Sequence, residues 1–130
     1  MSAISHITLG TNNEDRAAEF YSTVLGILGF ERLPKPPGLP PAFGKNGDMP
    51  IVYICRPLDE RPATWGNGTH VAFQAETQEQ VRQFHAAAME LGGTDEGPPG
   101  PRPQYSDNYY AAYVRDPDGN KLQAVCYANE

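Results

Sequence analysis

Basic residues are scarce in this chain. Ten lysines and arginines stand against sixteen aspartates and glutamates among 130 residues, for a formal charge of -6. The basic residues are scattered, so no patch exists to neutralise a run of phosphates, and nucleic acid is excluded as a partner. Cysteine is scarcer still. Cys55 and Cys126 lack the CxxC spacing of a zinc site, and both fall in strand-like segments. That argues against a disulfide framework or a zinc finger and reads as two buried, reduced thiols. No apolar run approaches the roughly 18 residues that a membrane-spanning helix needs. The opening MSAISHITLG has neither the basic start nor the long apolar stretch of a signal peptide, which makes the cytoplasm the expected location.

What remains is an ordinary globular composition, 39% hydrophobic, enough for one compact domain over 1–130. Its organisation comes from an internal repeat. Setting His6 over His70 places Ile7 over Val71, Leu9 over Phe73, Phe20 over Phe84 and Gly29 over Gly93. Each window reads as a short alternating strand, a polar cap, an amphipathic helix and a glycine. The first helix is expected from about Asn13 to Leu28, because Ala17, Phe20, Tyr21, Val24 and Leu28 fall on one face. Asn12 or Asn13 can cap it, and Glu14 and Asp15 suit the helix dipole. The second is expected from about Gln78 to Leu91, striped by Val81, Phe84, Ala88 and Leu91, and Thr77 and Gln80 have the capping-box spacing.

After each helix come strand signals broken by proline and glycine. In the first half ERLPKPPGLPPAFGKNGDMP holds short strands and a loop, ahead of the buried strand IVYIC (51–55). In the second half TDEGPPGPRPQYSDN reads as a similar loop. The strand YYAAYVR (109–115), a tight turn from Asp116 to Gly119 and the last strand NKLQAVCY (120–127) follow it. The order is β-α-β-β-β, twice. The expected chain is α+β, with one βαβββ module over about 1–60 and a second over about 66–130. Helices cover the outer face of a sheet whose other face forms a concave half-barrel.

Side chains alternate along a strand. Ile7 and Leu9 suit packing on a helix, which turns His6 and Thr8 to the concave face. Val71 and Phe73 likewise turn out His70 and Ala72. On the last strand Leu122, Ala124 and Cys126 form the helix-side set, so Lys121, Gln123 and Val125 face the other way. Tyr109, Ala111, Tyr113 and Arg115 share one face, assigned inward. Each histidine alone reads most simply as a satisfied interior imidazole, but their matching places in the two halves point to a converging pair of metal ligands. Gln123 reads equally as a cross-strand hydrogen-bonding residue or as a third donor. Trp65, in a WGNG loop, either covers the site or caps the core.

At this point the residues resemble a known family. SHITLGTNNEDRAAEFYSTVLGILGF near the start, GTHVAF in the middle and YVRDPDGNKLQAV near the end are together similar to the vicinal oxygen chelate superfamily. That group includes glyoxalase I, fosfomycin-resistance transferases, bleomycin-resistance proteins and extradiol dioxygenases. The resemblance covers nearly the whole chain and is most specific in the DPDGN turn and the strand after it. It implies an open metal site with ligands from the first and last strands of each half. Carried over, His6 and His70 fill the first-strand positions, Gln123 stands where a glutamate is usual, and Tyr53 aligns with the fourth position. Neither 53 nor 123 is a carboxylate, so the set His6, His70 and Gln123 offsets none of a dication's charge. Zinc, nickel or iron suit it better than magnesium or manganese. Thr8 and Tyr113 match positions near the anionic substrate of the fosfomycin-resistance transferases, and Tyr53, Tyr109 and Arg115 complete the expected substrate-binding set.

The function this implies first is a small metal-dependent lyase, isomerase or transferase acting on a small oxygenated compound, with lactoylglutathione lyase-like chemistry as one version. In glyoxalase-type isomerisation the metal-bound glutamate is also the base, a capacity that glutamine lacks. The second reading is a metal-free protein that sequesters an aromatic ligand, as bleomycin-resistance members do, for which the acidic balance suits a cation. The third is an extradiol dioxygenase, whose two histidines and one glutamate around ferrous iron are not all present. A homodimer and a small-molecule ligand are the partners the resemblance implies, with no membrane. The loops at 34–50 and 97–108 are candidate lids.

Overall fold

Both amphipathic stripes become helices with the caps their sequences offer, in a computed structural model that describes residues 3–128. Helix α1 spans Glu14–Ile27, and the Asn13 side chain accepts the Arg16 N–H at 3.0 Å. Helix α2 spans Gln78–Glu90 and begins with a complete capping box. Thr77 Oγ1 accepts the Gln80 N–H at 3.1 Å, and Gln80 Oε1 accepts the Thr77 N–H at 3.1 Å. Each box or cap satisfies backbone donors that the first helical turn leaves unpaired.

The chain divides into two compact units, Met1–Thr64 and Trp65–Glu130. The first holds β1 (His6–Gly10), α1, β2 (Glu31–Arg32), β3 (Ala42–Lys45) and β4 (Asp48–Cys55). Its sheet order is β1-β4-β3-β2, with β1 parallel to β4 and the other pairs antiparallel. The second holds β5 (His70–Gln74), α2, β6 (Thr94–Pro101), β7 (Tyr110–Arg115) and β8 (Lys121–Cys126), in the order β5-β8-β7-β6 with β5 parallel to β8. Each is a βαβββ module in which the first and last strands lie side by side.

In each module the helix covers one sheet face. Phe20, Tyr21, Val24 and Leu25 of α1 are fully buried along with Val52 and Ile54 of β4. Val81, Phe84 and Ala88 of α2 are buried along with Ala112, Val114, Leu122 and Ala124. Burying each of the larger side chains contributes about 1.5–3 kcal/mol. Alternation then sends the neighbouring residues to the opposite face: His6 and Thr8 on β1, and His70 and Ala72 on β5, are all exposed. Cys126 is buried and Cys55 half-buried, both as free thiols. Burial, and then the nearby Glu14 charge, push the Cys55 thiol up. Among the described residues no helix is long and apolar enough to cross a membrane.

The expectation of a loop after α2 is overturned. TDEGPPGP forms strand β6, paired antiparallel to β7. Its prolines are tolerable because β6 lies at the sheet edge, where a missing N–H costs no ladder bond on the outer side. The register slips between Asp95 and Gly97 and again between Gly97 and Gly100, so the strand is bulged rather than regular. The expected lids shrink accordingly: 97–108 begins inside β6, and 34–50 contains β3 and the start of β4.

The turn between β7 and β8 fixes the register that matters most. Asp116 is 4% exposed, and its Oδ1 accepts the Asp118 and Asn120 N–H groups, each at 2.9 Å. Asn120 Nδ2 donates to its Oδ2 at 2.9 Å. This closed turn sets Arg115 opposite Lys121 and Tyr113 opposite Gln123.

Candidate functional site

Register decides which side chains share a face. In the N-terminal module Thr8 lies opposite Tyr53, which leaves His6 as the diagonal neighbour of Tyr53 on the uncovered face. The two rings meet edge to face, with centroids 5.5 Å apart and planes at 89°. His6 Nδ1 also lies 3.0 Å from Ser5 Oγ. In the C-terminal module Ala72 lies opposite Gln123, so His70 is the diagonal neighbour of Gln123 in the same sense. His70 packs against the Tyr113 ring at 6.2 Å and 66°.

A cavity of about 430 Å³ opens on that face of the C-terminal module. His70, Gln123, Tyr109 and Tyr113 line it, together with Tyr105, Glu96 and Lys121. Four of the residues singled out from the sequence thus come together: His70, Gln123, Tyr109 and Tyr113. Gln123 is only 1% exposed. Its Nε2 donates to the Tyr109 hydroxyl. Its Oε1 has no hydrogen-bond partner among the described residues, yet no unpartnered side-chain oxygen there is sealed from solvent. The glutamine therefore presents a bare carbonyl oxygen to the cavity. Burial, followed by a hydrogen bond to Tyr109, pushes the Tyr113 phenol up to about 12, so it stays protonated at neutral pH.

Arg115 shares the strand face of Tyr113, as alternation required, but is already committed. Its Nε is paired with Glu96, Nη1 donates to the Gly119 carbonyl at 2.8 Å, and the guanidinium lies 4.6 Å from the Trp65 ring centre. Trp65 packs so tightly here that a Cβ on Gly119 would collide with the indole Cδ1. Trp65 is thus a platform for Arg115, and with 47% exposure it is not a core cap. His85 Nε2 lies 2.9 Å from Asp95 Oδ1, and this hydrogen bond, with that from the Gly97 N–H, holds the Asp95 carboxyl below its usual range.

Beyond those four and Tyr105, the cavity takes Glu96 and Lys121, neither of them expected as a site residue. Glu96 sits in the bulge between Asp95, which pairs with Val114 on the helix side, and Gly97, which pairs with Tyr113 on the cavity side. The extra residue lets Glu96 join Gly97 on the cavity face, a common use of bulges. A Cβ on Gly97 would lie 3.0 Å from Tyr113 Cδ1 and 3.2 Å from Arg102 Nη2, so glycine makes the room. Nothing in the local sequence signals this, since the segment reads as a loop. Lys121 was legible, because it alternates with Gln123. Its ammonium lies 5.5 Å from the Tyr113 ring centre and has no carboxylate partner among the described residues.

The N-terminal module carries a different cleft, of about 320 Å³, just past the C-terminal ends of β1 and β4. Thr11, Asn12, Arg56 and Arg61 are among its walls, and none of His6, Thr8 or Tyr53 lines it. Its arginines are exposed, and its entrance lies at the strand ends, away from the sheet faces that carry the histidines.

A family model described as the Glyoxalase/Bleomycin resistance protein/Dioxygenase superfamily matches residues 3–124. The chain is similar to a metallothiol transferase FosB of Shouchella clausii, at 28% identity over 123 residues, covering 95% of this chain and 79% of that protein. A glyoxalase/bleomycin resistance protein from Albidiferax ferrireducens superposes with a TM-score of 0.84 at 36% identity, over 96% of this chain and 98% of that one. A lactoylglutathione lyase from Agrobacterium tumefaciens shares the fold with a TM-score of 0.65 at 24% identity, over 97% and 94% of the two chains.

Proposed function

Since this chain belongs to the glyoxalase/bleomycin resistance protein/dioxygenase superfamily, we propose that it is a small metal-dependent lyase, isomerase or transferase for a small oxygenated anion. In this reading His70 and Gln123 are metal donors on the C-terminal module. His6 is the matching candidate donor on the N-terminal module, on the strength of the repeat. The observation that carries the reading is Gln123, a buried amide whose oxygen has no partner and borders a cavity shared with His70.

The donors suit a borderline ion. Imidazole and amide donors are uncharged, which favours zinc, nickel or iron over ions that prefer carboxylates. Among the described residues no group of three or more His, Cys, Asp or Glu side chains is placed to hold a metal, so any ion would depend on His70, Gln123 and the oxygens of its substrate. When bound, such an ion supplies Lewis acidity to the oxygens that chelate it. The chain's own residues would then bind and orient the substrate. Glu96 is neutralised by Arg115, which leaves Lys121 as the charged lining group without an opposite charge. An anionic end of the substrate fits there, with its apolar part against Tyr105 and Tyr113. Gln123 cannot take a proton as a glutamate would, so the substrate's acid-base chemistry falls to other groups. Transferase and lyase reactions of the kind named for the relatives are the first to screen.

Elemental analysis of the chelator-free protein tests this. The wild type should take up zinc, nickel or iron near stoichiometry, and His6→Ala/His70→Ala should lose it. Failure of the wild type to retain any of these ions after incubation would defeat the proposal. A second reading would then lead, favoured by the three tyrosines lining the cavity: a metal-free binding protein, whose affinity for its ligand the double histidine variant would leave largely intact. Light scattering of the purified protein checks the homodimer.

A further inference from the structure

The cleft beyond β1 and β4 takes no part in the site described above, yet the chain holds it in shape. The Asn12 side chain accepts the Ala63 N–H at 2.6 Å and donates to the Ala63 carbonyl at 3.3 Å. Ala63 also packs against Gly10, where a Cβ would lie 3.1 Å from the alanine methyl. Between that anchor and the end of β4 the chain turns tightly. The Glu60 N–H meets the Pro57 carbonyl at 3.0 Å, and Asp59 Oδ1 accepts the Arg61 N–H at 3.0 Å. Pro57 and Pro62 restrict the backbone on either side.

The uncharged polar side chains that line this cleft are already used. Asn12 is bound to Ala63, and Thr11 Oγ1 is bonded to both the N–H and the carbonyl of Asn13, each at 3.1 Å. Three charges remain, on Arg56, Glu60 and Arg61. Among the described residues neither guanidinium has a carboxylate within ion-pair distance, and the Glu60 carboxylate has no cation. The neighbouring acids Glu14 and Asp59 each accept a backbone N–H, and neither lines the cleft. Opposite charges around one cleft ordinarily pair with each other, and here they do not. Glu60 moreover has φ 64°, in the left-handed region that glycine enters without strain. A glutamate held there at a backbone cost points to a use for its side chain.

Two positive groups and one negative group match a ligand with two anionic groups and one cationic group. A plain dianion would satisfy the arginines but be repelled by Glu60. A neutral amino acid would leave one guanidinium unused. We propose that the N-terminal cleft is a second ligand site that takes a free acidic amino acid, its two carboxylates on the Arg56 and Arg61 forks and its ammonium on Glu60. The site stands apart from the metal reading, since none of the candidate metal donors lines it.

Titration of the chelator-treated full chain, followed by amide NMR at low ionic strength, tests this. The probes are L-glutamate, glutarate, which lacks the ammonium, and L-glutamine, which lacks the second carboxylate. All three protein charges are exposed, so binding should be millimolar, with each ion pair worth about three-fold in affinity. L-glutamate should shift the amides of Arg56, Glu60, Arg61 and Ala63 saturably, and glutarate and L-glutamine should each bind about three-fold more weakly. Glu60→Gln should bring glutarate level with L-glutamate, and Arg56→Gln/Arg61→Gln should abolish binding of both while the spectrum stays folded. The absence of a saturable shift in the millimolar range, or one that the double arginine variant leaves unchanged, overturns the site. Glutarate binding as tightly as L-glutamate to the wild type overturns the assigned ligand class.

Discussion

In the N-terminal module the first-strand histidine meets a tyrosine; in the C-terminal module its counterpart shares a cavity with a glutamine. The scaffolds are otherwise alike. Both place the first strand parallel to the last, cover one face with a capped helix and leave the histidine on the other face. They diverge at positions that do not hold the scaffold together. On β4 the residue diagonal to the histidine is the half-buried Tyr53, while on β8 it is the buried Gln123 with a free amide oxygen. The strand after α1 is two residues long, whereas the strand after α2 is eight and carries the bulge that brings Glu96 to the cavity. A repeat can thus keep its core pattern while its uncovered faces take on different chemistry, because the core depends on the helix-side residues alone.

The comparison can be broken or sharpened by experiment. The largest effect is expected in the two cores. Phe20 and Phe84 occupy matching helix positions, each with almost no exposure. Truncating either to alanine should cost about 3–5 kcal/mol in urea denaturation. If one truncation cost less than half of the other, the two cores would not be equivalent.

Next come the uncovered faces. His70→Ala should weaken zinc binding at least about 100-fold, roughly 2.7 kcal/mol, whereas Tyr53→Phe should leave it unchanged in a competition titration. Comparable losses from both would place the metal chemistry equally on the two modules, against the asymmetry argued above. Gln123→Glu should add charge to the donor set and raise manganese affinity about ten-fold, consistent with carboxylate preference.

The helix caps should differ more modestly. Thr77→Ala removes one half of a reciprocal box and Asn13→Ala a single bond. Losses of about 1 kcal/mol or somewhat more for the box and about 1 kcal/mol for the single cap should appear as lower denaturation midpoints.

The smallest effect at neutral pH belongs to Tyr113. Its phenol is pushed from about 10 in the unfolded chain up to about 12, so the folded state favours the protonated form. The associated stability is fully present below pH 10 and is lost as the pH rises towards 12. Tyr113→Phe should flatten that alkaline fall, and an unchanged slope would show that the phenol titrates freely.

Much of the fold is legible in the sequence. The stripe of Phe20, Tyr21 and Val24, the Thr77 and Gln80 box, the alternation around His6 and His70 and the Asp116 turn all depend on residues within a few positions of one another, and they fold where their spacing places them. The pairing of Tyr113 with Gln123 follows from the turn and the alternation together. Three features are decided only by tertiary structure. TDEGPPGP becomes a strand because its prolines fall on a sheet edge, and edge position is a property of neighbouring strands. Glu96 reaches the cavity through a bulge, which exists only relative to the register of β7. Arg115 is claimed by Glu96, Gly119 and Trp65. Periodicity and capping act along the chain and can be read from it. Strand adjacency and hydrogen-bond partnership act across it, so the final aim of each site residue depends on what the folded sheet brings alongside.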